Sequence, residues 1–109
     1  MVRMRGSLTD ILAELKSRLK ALYGDSLKQL ILYGSRARGD ALPDSDIDVM
    51  AVVDDYATAK RLHEEELDIV VDLSARHNCV ISLLHLTPER YATAMMPLHI
   101  NLRKEGVAL

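Results

Sequence analysis

Apolar positions in this chain recur with two different periods. Leu8, Ile11, Leu12, Leu15, Leu19 and Leu22 fall about 3.6 residues apart, with Lys16, Arg18 and Lys20 on the wet side. That spacing predicts an amphipathic helix capped by Ser7, with Asp10 in a capping-box-like position, and stopped by Gly24 just past Tyr23. Its leucine face reads as core, with a partner-binding face as the alternative. Leu27 to Tyr33 predicts a buried strand, because Leu30, Ile31 and Leu32 are continuous. A second strand opens at Asp46. Ile47, Val49, Ala51 and Val53 take one face, and Met50 and Val52 are apolar on the other, so it is buried beyond Asp48.

From Tyr56 to His77 no Gly or Pro interrupts the chain, and Leu62, Glu66, Ile69, Val70, Leu73 and His77 keep helical spacing. One helix is expected, with Glu64-Glu65-Glu66 a mostly solvated run. Ile69-Val70-Val71-Asp72-Leu73 can also be read as a strand carrying an acid, but the unbroken periodicity favours helix. Cys79 to Leu86 is the better strand. Thr87-Pro88-Glu89 opens another helix, running near Met95, and Pro97 starts a last short one ended by Gly106. Met95, Met96, Leu98 and Ile100 read as packing, or as an adaptable partner surface. The fold class is α/β (α+β): a small mixed sheet with flanking helices, in one domain over 1–109.

Composition trims the function classes. Net charge is −2 and the pI about 6.0, so there is no global basic field for nucleic acid. Aromatics are four tyrosines, without Trp or Phe, and offer no obvious base-stacking platform. No apolar run reaches membrane-spanning length, and Met1-Val2-Arg3-Met4-Arg5 leads to no signal-type stretch. The lone Cys79 rules out an internal disulfide and fits a reducing cytoplasm. His63, His77 and His99 have no ligand spacing with one another or with Cys79, which argues against zinc.

The chemistry gathers where the first two strands are joined. Gly34 permits a sharp exit and a close backbone approach. If Ser35-Arg36-Ala37-Arg38 begins a helical turn, its N–H groups form a phosphate cradle. Ser35 adds a hydroxyl, and Arg36 or Arg38 can neutralise phosphate oxygens. The turn is not a Walker A loop, because Asp40-Ala41 stands where Lys-Ser/Thr is required. Pro43-Asp44-Ser45 is a turn-former joining the halves of the site, and Asp40 and Asp44 read as loop solvation ahead of outer-shell ligands. Asp46 and Asp48, two apart on a strand, project together, roughly 7 Å apart at Cα. Side by side they repel unless a cation lies between them, and hard oxygens of this kind suit Mg²⁺ or Mn²⁺.

Gly34-Ser35 with Arg36 and Arg38, then Asp46-x-Asp48 among apolar residues, resembles the signature of the DNA polymerase β-like nucleotidyltransferase superfamily. The small size resembles its minimal branch, the stand-alone nucleotidyltransferase (MNT) domains often paired with a helical HEPN partner as toxin and antitoxin. Asn101 to Val107 resembles the C-terminal ending of those domains. The resemblance implies that Gly34, Ser35, Arg36 and Arg38 bind the triphosphate of a nucleotide, ATP by expectation. It also implies that Asp46 and Asp48 hold the catalytic Mg²⁺ or Mn²⁺, and that AMP passes to a hydroxyl, plausibly on a HEPN partner in the cytoplasm. A third carboxylate on a later strand completes the family's site. Here Ser82 stands at about that place, and serine is a poor Mg²⁺ ligand and no general base. His85 and Asp72 are the substitutes to consider, with His85 read first as a packed or surface residue. The alternative is a catalytically degenerate antitoxin that acts by contact.

Overall fold

A computed structural model describes residues 6–42 and 44–109. Met1 to Arg5 and Pro43, with the turn assigned to Pro43, lie outside the described residues. Helix α1 runs Leu8–Tyr23, Ser7 accepting from the Asp10 N–H at 3.0 Å, and Gly24 ends it with φ 58°. A 3-10 turn, Gly24–Ser26, leads to β1, Leu27–Tyr33. Then come α2, Ser35–Arg38, and β2, Ile47–Val53. The crossover from β2 consists of α3, Tyr56–Arg61, and α4, His63–His77, and β3 is Ile81–Leu86. Helices α5, Pro88–Thr93, and α6, Pro97–Glu105, precede β4, Val107–Ala108.

The sheet is mixed, in the order β3-β2-β1-β4. Strands β1 and β2 are antiparallel, β2 and β3 parallel, and β1 and β4 antiparallel. Each face carries its own core. On one, Ile47, Val49, Ala51 and Val53 pack with Ile11, Leu15, Leu19 and Leu73 of α1 and α4. On the other, Ile31, Met50, Val52 and Leu86 pack with Leu102 of α6 and Tyr91 of α5. The alternation of β2 is thus read on both faces, as expected of a central strand. The second face is covered only in part. Met50 and Val52 are buried, Asp48 and Ser82 are half-buried, and Asp46 is exposed. The uncovered end is where the chemistry can happen.

Three expectations need correction, and one element was missed. The predicted Tyr56–His77 helix bends at Leu62, whose backbone (φ −95°, ψ 8°) ends α3 and begins α4. Neither Gly nor Pro causes the bend: α3 rests on β2 and β3, whereas α4 must turn to lie along α1. Glu66 is not solvated like Glu64 and Glu65 but is 4% exposed, accepting from the Tyr23 hydroxyl at 2.8 Å, with His85 Nε2 also at 2.8 Å. The helix beginning at Pro88 stops at Thr93, short of Met95. Strand β4 was not legible. It depends on Gly106, where a Cβ would fall 2.4 Å from the Leu102 carbonyl and 2.6 Å from Ile31 Cγ2. A larger residue would hold the chain off β1, which Val107 and Ala108 join opposite Leu32 and Ile31.

Candidate active site

The site is built at one end of β1, β2 and β3. Antiparallel pairing sets Tyr33 opposite Asp48, and parallel pairing sets Ser82 opposite Asp48 from the other side. Residues opposite one another in a sheet share a face, so Tyr33, Asp48 and Ser82 form a row with Asp48 in the middle. Burial pushes the Asp48 carboxyl up from its ordinary value, the neighbouring charge of Asp46 pushes it further, and Arg38 opposes both. Burial also raises the Tyr33 phenol, with the Asp48 charge as the second cause. The strand predicted to open at Asp46 begins one residue later, so Asp46 stands just outside β2, where its charge acts on Asp48.

Gly34 is required twice over. Its φ is +72°, and a Cβ there would lie 2.5 Å from Asp48 Oδ2, so the carboxylate occupies the space a side chain would fill. The turn that follows spends two of its donors internally, since the Ala37 and Arg38 N–H groups both return to the Gly34 carbonyl at 3.1 Å. Ser35 is the donor the turn keeps: neither its N–H nor its hydroxyl has a hydrogen-bond partner among the described residues. The cradle expected from a run of open N–H groups is narrower than the sequence implied.

The two arginines separate. Arg36 donates from Nη2 to the Ser45 carbonyl at 2.8 Å and lines a cavity of about 360 Å³ with Ser45, Ser74, Asn78 and Cys79. It ties the loop that delivers Asp46. Arg38 lines a different cleft, about 150 Å³, with Gly34, Asn101 and Glu105. Its guanidinium pairs with Asp40 at 3.2 Å and Glu105 at 3.6 Å. Asp40 is thus an arginine partner, and Asp44 is an exposed loop residue. Tyr33, Asn101 and Glu105 were not singled out by sequence as site residues, because strand pairing and the return of α6 bring them in. The hints were the position of Tyr33 immediately before Gly34 and the resemblance of Asn101 to Val107 to the family's C-terminal ending.

Both substitutes for a third acid are placed elsewhere. His85 lies three residues beyond Ser82, an odd step that puts it on the opposite face, against Glu66. Asp72 belongs to α4 and pairs with Arg18 at 2.6 Å and Arg76 at 3.1 Å, which holds its carboxyl below the usual range. Its partners fasten α4 to α1. Among the described residues no three of His, Cys, Asp and Glu cluster closely enough to hold a metal by themselves. A two-carboxylate site nevertheless fits Mg²⁺, which is commonly held by one or two protein carboxylates with substrate phosphates and water completing its octahedron. The repulsion within the Asp46–Asp48 pair is the feature a cation would relieve. No helix among the described residues is long and apolar enough to cross a membrane.

Comparison with known proteins gives a concordant result. The profile of a family described as "Nucleotidyltransferase domain" matches residues 12–95. Three proteins of Methanocaldococcus jannaschii, each named "Putative protein adenylyltransferase", are similar in sequence. One is 31% identical over 100 residues, spanning 88% of this chain and 91% of the relative. A second is 30% identical over 77 residues, 71% and 73% of the two chains. A third is 33% identical over 82 residues, 74% of this chain but only 56% of the relative's length. Among solved structures, a toxin–antitoxin crystallised with AMP-PNP superposes with a TM-score of 0.59 at 15% identity, over 94% of this chain and 72% of that one. A mutant of the toxin–antitoxin MntA–HpeT gives 0.58 at 18% identity, over 96% and 72%. At such identities these two establish likeness of fold.

Proposed function

The chain belongs to the nucleotidyltransferase domain family, and from that premise we propose that it transfers AMP from ATP to a hydroxyl on a protein partner. By analogy with its toxin–antitoxin neighbours the partner is a toxin and this chain the antitoxin, and the resemblance to minimal nucleotidyltransferase domains makes that toxin one of HEPN type. The observation that carries the reading is Asp48, set beside Asp46 and against the space of a Cβ-less Gly34 at the open end of the sheet. A divalent cation is costly to omit from such a pair and phosphate oxygens are natural partners for it.

In this reading Asp46 and Asp48 hold Mg²⁺, which when bound neutralises phosphate charge in the transition state. Ser35 donates to a phosphate oxygen, and Arg38 exchanges its carboxylate partners for the triphosphate. The acceptor oxygen forms a bond to the α-phosphorus as the bond to pyrophosphate breaks, and the hydroxyl proton leaves with solvent. Holding the two reactants in line is the chain's main contribution. Ser82 supplies no base, so the step lacks a factor of about 10²–10⁴ that a general base typically gives.

Ser82 also favours a second reading, in which the fold neutralises its partner by contact and the pocket is vestigial. Asp46→Asn/Asp48→Asn separates the two. If nucleotidyl transfer is the function, the double variant still binds the partner but no longer neutralises it in growing cells. Neutralisation that survives in the double variant supports the contact reading instead.

A further inference from the structure

The charge of Arg38 is claimed from two elements at once. Asp40, on its own loop, holds Nε at 3.2 Å, and Glu105, near the end of α6, lies 3.6 Å from Nη1. The partners are about half-exposed, Arg38 44%, Asp40 62% and Glu105 43%, so they can part without opening the core. Beneath them Gly34, Arg38, Asn101 and Glu105 border a single cleft of about 150 Å³, beside Tyr33 in the row with Asp48. A polyanion entering that cleft meets an arginine already neutralised and a carboxylate that repels it.

We propose that Glu105 is a nucleotide-site residue: it holds Arg38 away from the triphosphate and sets the affinity by competing for that guanidinium. The proposal rests on the nucleotide reading above and adds a residue outside the Gly-Ser turn and the aspartate pair. Its logic is an exchange of partners. Arginine binds carboxylate and phosphate with the same planar fork, so it cannot fully engage both. The triphosphate therefore gains Arg38 only by giving up the pair with Glu105. A half-exposed ion pair is weak, which makes it suited to exchange. Because Glu105 immediately precedes Gly106 and β4, the exchange also acts where the C-terminal segment joins the sheet.

The test is calorimetric titration of the full chain with Mg-ATP at low salt. Glu105→Gln keeps the side-chain shape and removes the charge. It is expected to bind ATP about five-fold tighter than wild type, the scale of a surface ion pair relieved. The same substitution in an Arg38→Met background is expected to give no gain, because nothing is left to release. A general repulsion between Glu105 and the polyanion would persist without Arg38, so a gain retained in that background overturns the proposal. So does an Mg-ATP affinity in Glu105→Gln that is unchanged or weaker while wild type binds. Absence of binding by wild type itself would bring down the underlying nucleotide reading. Should Glu105→Gln fail to fold, Glu105→Ala at the same half-exposed position removes the same carboxylate, with the same expected gain and the same reversal in the Arg38→Met background.

Discussion

Asp48→Asn is expected to stabilise the ligand-free protein while disabling it. Asp48 has no side-chain hydrogen bond among the described residues, is half-buried, and faces the charge of Asp46. Two unit charges at the spacing of alternate strand residues, about 7 Å, repel by roughly 0.6 kcal/mol at the dielectric of water and roughly 2.4 kcal/mol at an effective value of 20. Asp46 is exposed, so the lower part of that range applies and about 1 kcal/mol is expected. In a domain of this size that is a rise in Tm of about 4 °C. The sign follows from linkage. Burial and Asp46 raise the folded-state carboxyl above its unfolded value, so the folded protein binds more protons across the window between them. Wild-type stability then falls as pH climbs from below the ordinary carboxylate range through the raised folded value, and is flat above it. Asparagine removes that slope, so the advantage of the variant is present at pH 7 and disappears in acid. Mg-ATP reverses the order, since a ligand at one hundred times its Kd stabilises wild type by about 2.7 kcal/mol and has little hold on the variant. Thermal unfolding in EDTA and in Mg-ATP, at pH 7 and in acid, measures all of this. A variant less stable than wild type in EDTA at pH 7, or stabilised equally by Mg-ATP, would refute the reasoning.

Other perturbations have equally definite outcomes. Gly34→Ala must accept φ +72° and displace Asp48 Oδ2. It should fold with a loss of about 1–2 kcal/mol in denaturant titrations and show no Mg-ATP thermal shift. Glu66→Ala leaves the Tyr23 hydroxyl and His85 without their buried acceptor, and should cost about 2–4 kcal/mol in chemical unfolding, with Glu66→Gln recovering part of it. Ser82→Asp places a third carboxylate in the row with Asp48. It should lower stability in EDTA yet raise the rate of AMP transfer at least about ten-fold in a single-turnover assay.

Much of this architecture was legible because local chemistry and tertiary packing agree. The 3.6-residue leucine period gave α1 its buried face, and Gly34 with Asp46 and Asp48 marked the candidate site, where the structure sets Gly34 directly against the Asp48 carboxylate. What escaped depends on distant partners. Glu66 sits in a run of three glutamates that reads as a wet face, and only Tyr23, 43 residues earlier, and His85, 19 later, make its burial tolerable. The bend at Leu62 breaks no sequence rule and follows from which surfaces α3 and α4 must cover. Arg36 and Arg38, two residues apart, read in the sequence as alternative phosphate partners, and the turn sends them to different clefts. Tyr33 joins the site through sheet pairing and Glu105 through the return of α6, and the family-like ending from Asn101 to Val107 does not by itself say which cleft it lines.

The most direct measurement is the intact mass of the partner. The chain would be expressed with its natural neighbours, whatever co-purifies isolated, Mg-ATP added, and the partner weighed. The expected result is a gain of one or more adenylyl units, absent when Asp46→Asn/Asp48→Asn replaces wild type. An unchanged mass, from a complex that still forms and still neutralises its toxin, would contradict nucleotidyl transfer and leave a nucleotidyltransferase fold that works by contact.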